Sequence, residues 1–286
     1  MLIALGFLIV FCSVFGGYIL VGGHLYGLFQ PIELLIIGGA AVGAFLAGNS
    51  KKSIQATVRV LPKLFQGTHY TKAVYLELMA LLYVLLTKGR REGMMTLEPH
   101  IENPEQSSIF TSYPHILGDR TLVEFITDYL RIMISGNMSA LEIETLMDEE
   151  IETFRHESSV PASALRAVAD ALPAFGIVAA VMGVVHALSA IDQPPVVLGD
   201  LISKAMVGTF LGVLLAYGFV APLASRTDRR TAESVKILEC IKATLLANLN
   251  GYPPPLAVEF GRKVLYSVDR PSFRELDEHV RAVKSR

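Results

Sequence analysis

The sequence predicts an all-α membrane protein with four transmembrane helices, a helical cytoplasmic domain between spans two and three, and a cytoplasmic C-terminal helical tail. Three observations carry this. Hydrophobic residues make up 52% of the 286 and charged residues only 18%, with a mean hydropathy of +0.46, which is too apolar for an ordinary soluble domain of this length. Uncharged runs recur at about the 20 residues a helix needs to cross a bilayer core. Basic residues gather on one side of those runs. The net charge of -2 offers no case for nucleic acid, and the two cysteines, Cys12 and Cys240, cannot make a disulfide framework.

The first two spans are read over roughly Leu2 to Val21 and Ile32 to Gly48, separated by GGHLYGLFQP. The first lacks the basic start and small-residue cleavage site of a secretory signal, so it is read as a span. Both are rich in glycine; Gly39 with Gly43 makes a small-xxx-small face, as do Ala179 with Gly183 and Gly208 with Gly212 further on. Such faces serve packing within one subunit or between subunits. Four spans can hardly enclose a pore, which favours a homo-oligomer.

From Lys51 the chain turns charged and mostly helical. KAVYLELMALLYVLLTKG (Lys72 to Gly89) is apolar but carries Lys72, Glu77 and Lys88, so it is expected to be a packed helix and not a fifth span. A charged corner follows, with Arg90, Arg91, Glu92 and Glu98, then a proline-containing loop and two helices, about Thr121 to Ser135 and Ser139 to His156. Spans three and four form a hairpin, Val168 to Ala190 and Leu201 to Ala224, joined by DQPPVVLGD. Beyond it, Ser225 to Asn248 reads as a helix leaving the membrane; Pro253 to Pro255 break it, and Ser272 with Glu275 make a capping box for a short amphipathic helix.

Lys51, Lys52, Arg59 and Lys63 follow span two, Arg155 and Arg166 precede span three, and Arg226, Arg229 and Arg230 follow span four, while the short connections have no Lys or Arg. Both termini are therefore expected in the cytoplasm. The expected division is 1–49 for the first membrane hairpin, 50–167 for the cytoplasmic domain, 168–224 for the second hairpin, and 225–286 for the C-terminal region.

The sequence has no phosphate loop, nucleophile elbow or metal-ligand spacing, and no cofactor is expected. An ion gradient remains as an energy source, worth about 2.3 kcal/mol for one charge crossing 100 mV. The second hairpin is the candidate ion path, because Pro173 and Pro222 sit near its cytoplasmic side and Thr209 and Tyr217 lie in apolar surroundings. Threonine in such a helix either lines a pore or bonds back to a carbonyl one turn earlier. Glu33, Asp170, Asp192 and Asp200 are placed at span ends, and His186, near the outer end of span three, is either a titrating group or an interfacial imidazole; if the hairpin conducts protons, the carrier is expected from a partner helix.

LPAFGIVAAVMGVVHAL (Leu172 to Leu188) and AMVGTFLGVLLAYGFVAPLA (Ala205 to Ala224) resemble the MotA/TolQ/ExbB proton channel family. FGGYILVGG, QPIELLIIGGA, ENPEQSSIF, MDEEIET, NLNGYPPPLAVEFGRKVLYS and RPSFRELDEHVRAVK are similar to its flagellar stator branch over essentially the full length. The nearest alternative, a TolQ/ExbB-like energiser of envelope processes, has three spans. A non-conducting membrane scaffold would explain the glycine faces but not the paired prolines. The resemblance implies a bacterial inner-membrane ring, a pentamer, around a MotB-type single-span peptidoglycan-binding partner whose aspartate carries the proton. The ring turns and pushes on the rotor protein FliG; nothing in the reading involves bond-making catalysis. Carried over by position, Arg90 and Glu98 match rotor-facing charges, with Glu150 grouped beside them and Tyr217 with the ion path. Pro173 and Pro222 match gating prolines, and Thr209 the pore-lining threonine. Sodium-type relatives have a threonine where this chain has Ala180, and a hard cation needs oxygen ligands, so proton coupling is expected.

Overall fold

The computed structural model describes residues 2–66 and 70–284. Helices make up most of the described chain, and among the described residues there is no strand. Ten longer helices are numbered here: α1 (Leu2–Leu20), α2 (Pro31–Gly48), α3 (Lys51–Leu64), α4 (Lys72–Glu92), α5 (Arg120–Ser135), α6 (Ala140–Leu188), α7 (Pro195–Val213), α8 (Ala221–Leu249), α9 (Pro254–Val264) and α10 (Phe273–Lys284). A π-helical turn, Leu214–Val220, joins α7 to α8. Four helical stretches are long and apolar enough to cross a membrane: Leu2–Leu20, Leu25–Gly48, Ala140–Leu188 and Pro195–Leu249.

The chain forms two compact units, Met1–Gly67 with Ser158–Arg229, and Thr68–Glu157 with Arg230–Arg286. In the first, a small core joins Ile37 and Ala41 of α2, Leu172 and Ala179 of α6, and Val207 and Leu211 of α7. Most large side chains on the outward faces, such as Leu5, Leu8, Leu35, Val181 and Met206, remain uncovered, as expected of a surface meant for lipid or for neighbouring chains. Ser50 caps α3 by accepting from the Ser53 N–H, and Arg226 closes the other end of that helix by donating to the carbonyls of Leu64 and Gln66 at 2.8 and 3.2 Å. Arg166 pairs with Asp228 in the same unit.

The second unit is built around α4. Leu78, Met79, Leu81, Leu82, Leu85 and Leu86 are fully buried there, together with Phe110, Ile126, Leu130 and Ile241. A helix buried on every side needs no amphipathic stripe, which is why this apolar run imitates a span. Gly261 of α9 lets that helix approach α8: a β-carbon on it would lie 2.9 Å from the Cys240 carbonyl oxygen. Arg262, only 6% exposed, is held by both oxygens of Glu259 at 2.6 Å and donates to the Pro271 carbonyl at 2.8 Å.

The boundaries are set by local chemistry. Asp119 caps α5, which ends on Gly136 in the left-handed region (φ +65°). Ser272 and Glu275 form the expected capping box, with the Ser272 N–H donating to Glu275 at 2.7 Å. Ser139 and Glu142 form a second one, at the start of α6. Two boundaries differ from expectation. The helix expected to stop at His156 runs on to Leu188 through Pro161 and Pro173, in a segment rich in helix formers such as Ala162, Ala164, Leu165 and Ala167. The connection before span four is partly helical, since Pro195 opens α7 at a first-turn position where its missing N–H costs nothing.

Candidate ion path and surface charges

Spans three and four meet through backbone. A β-carbon on Gly176 would lie 2.9 Å from the Gly208 carbonyl oxygen, and one on Gly212 would lie 2.7 Å from the Leu172 carbonyl oxygen. On Gly183 it would lie 2.6 Å from the Ala205 β-carbon. The small residues from Ala179 to Gly183 and from Gly208 to Gly212 thus close the hairpin within one subunit. Gly39 and Gly43 differ, as nothing lies within 4 Å of a β-carbon at either.

This close packing fixes what faces away from it. Thr209, next to Gly208, is uncovered by the rest of the chain, and Tyr217 in the π-helical turn is 62% exposed. Among the described residues the Thr209 hydroxyl has no hydrogen-bond partner, whereas Thr57, Thr227 and Thr244 each bond back to a carbonyl four residues earlier. Ala180 is half-buried, its amide nitrogen 3.2 Å from the position a Gly208 β-carbon would take. Thr209 and Ala180 therefore lie at one level of the hairpin, with Tyr217 two turns further along the chain.

Pro173 is half-buried inside α6, beside the Leu172 carbonyl that Gly212 approaches. Pro222 is exposed near the start of α8 and follows directly on the π-helical turn. A proline in a regular helix crowds the carbonyl four residues earlier. Here that residue is Gly218, and the Ala221 N–H reaches instead to the Ala216 carbonyl, five residues back.

Glu33 stands at a span end as expected, in the first turn of α2, but its side chain reaches inward. Its Oε2 is buried without a hydrogen-bond partner and lies 2.9 Å from the position a Gly208 β-carbon would take. A residue's place in the chain does not fix which neighbouring helix its side chain meets. The spacing of Glu33, Ile37 and Ala41, each four residues apart on one face, was the available signal.

Arg90 and Glu98 flank a tight corner in the second unit. Gly89 is buried at the end of α4, where a β-carbon would lie 2.7 Å from the Met94 sulfur, and Gly93 turns the chain with φ +94°. Arg90 and Glu98 emerge exposed on either side of this turn, and among the described residues neither forms an ion pair, while Lys88 pairs with Glu92 at 2.7 Å. Glu150 lies elsewhere, on α6, where it accepts from the buried Tyr129 hydroxyl at 2.7 Å. Burial and the facing carboxylate push the Tyr129 phenol well above its usual range. His100 is lowered, mainly by burial, and bonds Ser107 at 2.8 Å, a local structural contact. Among the described residues no cluster could hold a metal ion.

Four long apolar helices, two of them closed backbone to backbone through Gly176, Gly208 and Gly212, define a multi-pass membrane protein. The chain belongs to the MotA/TolQ/ExbB proton channel family, whose model matches residues 119–240, while a model described as the N-terminal part of motility protein A matches residues 4–93. Its relatives over nearly the full length include proteins named motility protein A and chemotaxis protein LafT. It is 60% identical to motility protein A of Salmonella typhimurium over 285 residues, covering 100% of this chain and 97% of that one. The structure is similar to a chain of C. jejuni MotAB, with a TM-score of 0.78 at 22% identity over 94% of this chain and 98% of that one. It is also similar to a chain of the flagellar MotAB stator complex from Bacillus subtilis, with a TM-score of 0.75 at 26% identity over 96% and 98%.

Proposed function

We propose that the chain is a proton-conducting stator subunit of the bacterial flagellar motor, coupling proton flow through a complex with a MotB-type protein to torque on the rotor protein FliG. The observation that carries the proposal is the junction of spans three and four. Glycines close the two backbones on one side, and Thr209 is left uncovered with an unused hydroxyl on the other. Such a wall needs a facing helix to complete a path, and a single-span partner with an aspartate supplies both the helix and the proton carrier.

In this account the chain sits in the inner membrane with both termini in the cytoplasm, where Lys51, Lys52, Arg59 and Arg229 favour that side. Several copies, five by family likeness, surround the partner, with the open faces of Gly39 and Gly43 available to a neighbouring subunit. Thr209 and Tyr217 line the path. Ala180 offers no oxygen for a dehydrated sodium ion, which favours protons. Pro173 and Pro222 act as hinges when the partner's aspartate changes charge. Arg90 and Glu98, exposed and without an ion pair among the described residues, meet complementary charges on FliG, and Glu150 adds a further acidic contact.

In cells that swim on this stator alone, replacing external sodium by potassium should leave speed unchanged, while an uncoupler stops motion. Swimming that depends on sodium would contradict the proton assignment.

A further inference from the structure

Glu33 stands third in α2 and continues that helix's buried face, with Ile37 at 0% and Ala41 at 3% exposure one and two turns on. A carboxylate in a first helical turn ordinarily folds back onto the free N–H groups there. Glu33 does not: Oε2 is buried with no hydrogen-bond partner, and it reaches across to α7, 2.9 Å from where a Gly208 β-carbon would be. The same point is 3.2 Å from the Ala180 amide nitrogen, and Thr209 follows directly.

Buried polar atoms without partners are uncommon and costly, and they mark places where water or an ion completes the site. The charged groups nearby do not satisfy this one. On α7, Lys204 lies one turn before Gly208 and is bonded to Asp200 at 2.6 Å. From α6 come Ala179 and Ala180, with nothing to titrate, and the connection before α2 contributes His24 and Tyr26, neither of them bonded to Glu33 Oε2. The Glu33 residue as a whole stays partly open. Its carboxylate therefore joins an accessible edge of the hairpins to the level of Ala180 and Thr209.

We propose, resting on the proton-driven reading above, that Glu33 is a second ion-carrying group, the outer entry site for protons in the channel wall. A hydronium ion in the outer water protonates the Glu33 carboxylate and becomes water. The Glu33 carboxyl then passes that proton, through water at the level of Gly208 and Thr209, to the partner's carboxylate and returns to its ionised form. The ion gradient drives both transfers.

The test measures proton flux into cells that make the chain together with an unplugged MotB-type partner. E33Q keeps the shape but not the acid, and flux is expected to fall about tenfold or more, with membrane insertion and co-purification of the partner retained. E33D keeps the acid on a shorter arm and should recover part of the flux. Equal flux in E33Q and wild type would overturn the entry site. So would an E33D flux no higher than that of E33Q, or flux lost only together with co-purification, which makes Glu33 a packing residue. A wild-type complex that carries no flux would instead overturn the proton-driven reading, and the entry site with it.

Discussion

Gly212 has room for a hydrogen and nothing more, since a β-carbon there would meet the Leu172 carbonyl at 2.7 Å and the Gly176 Cα at 2.9 Å. Both obstacles are backbone, so a rotamer change cannot relieve the clash. Gly212→Ala should therefore destabilise the hairpin by about 1–3 kcal/mol, typical of overpacking. A lower thermal midpoint for the purified complex would register it, and an unchanged midpoint would mean that spans three and four pack less tightly. Tyr129→Phe removes one hydrogen bond to an exposed carboxylate and should cost only about 0.5–1.5 kcal/mol. If Glu150 works in torque transfer, Glu150→Lys should slow rotation beyond what Tyr129→Phe does, as tethered-cell rotation would report. The small-residue spacings were legible in the sequence at this scale, but which of them closes the hairpin and which stays open was not. Spacing records where a backbone can approach and leaves unspecified what approaches it. Glu33 was missed because distance along the chain says little about where a flexible four-atom arm ends.

The helices themselves were mostly readable, because caps and breakers act locally. Ser272 with Glu275 announces α10 in four residues. The long continuation of α6 through Pro161 and Pro173 was not readable, since an interior proline ordinarily ends a helix and only tertiary packing, invisible locally, carries it through. The π-helical turn has no residue pattern of its own; Pro222 and Gly218 explain it only once the hydrogen bonds are known. The hold on α10 depends on charge. The Lys72 ammonium, and after it the Ser272 N–H, keep the Glu275 carboxyl at about 2, below the ordinary 4.5. A depressed folded value gives stability that is present above the ordinary carboxylate range and is lost as pH falls from there through about 2. Amides of 273–284 should thus lose hydrogen-exchange protection at pH near 3 relative to pH 7, after correction for intrinsic rates. Equal protection would show that apolar packing of Leu276 and Val280 holds the helix alone. The corner of Arg90 and Glu98 belongs to this scale too. Reversing either charge should lower torque in tethered cells while membrane insertion and partner binding persist, and loss of assembly would assign the corner a structural role.

Across the whole molecule, composition and the distribution of lysine and arginine were enough for four spans and a large helical remainder, because the bilayer imposes length and charge rules on any sequence. The compact units were less visible. Each is assembled from two separate stretches of chain, and α6 and α8 contribute to both. A division by chain order cuts where composition changes, whereas these units follow contacts between distant segments. Pro173 lies in the same unit as the hairpin and close to its tightest crossing; Pro173→Ala should stall rotation while the protein still inserts, and normal swimming of that variant would remove the hinge. The central claim is that this chain forms a channel wall completed only by a partner helix. Its most direct measurement is the rate at which the cytoplasm acidifies in cells making the chain alone, the unplugged MotB-type partner alone, or both. Acidification only when both are present is the predicted result, and acidification by the chain alone, or none with both, would contradict it.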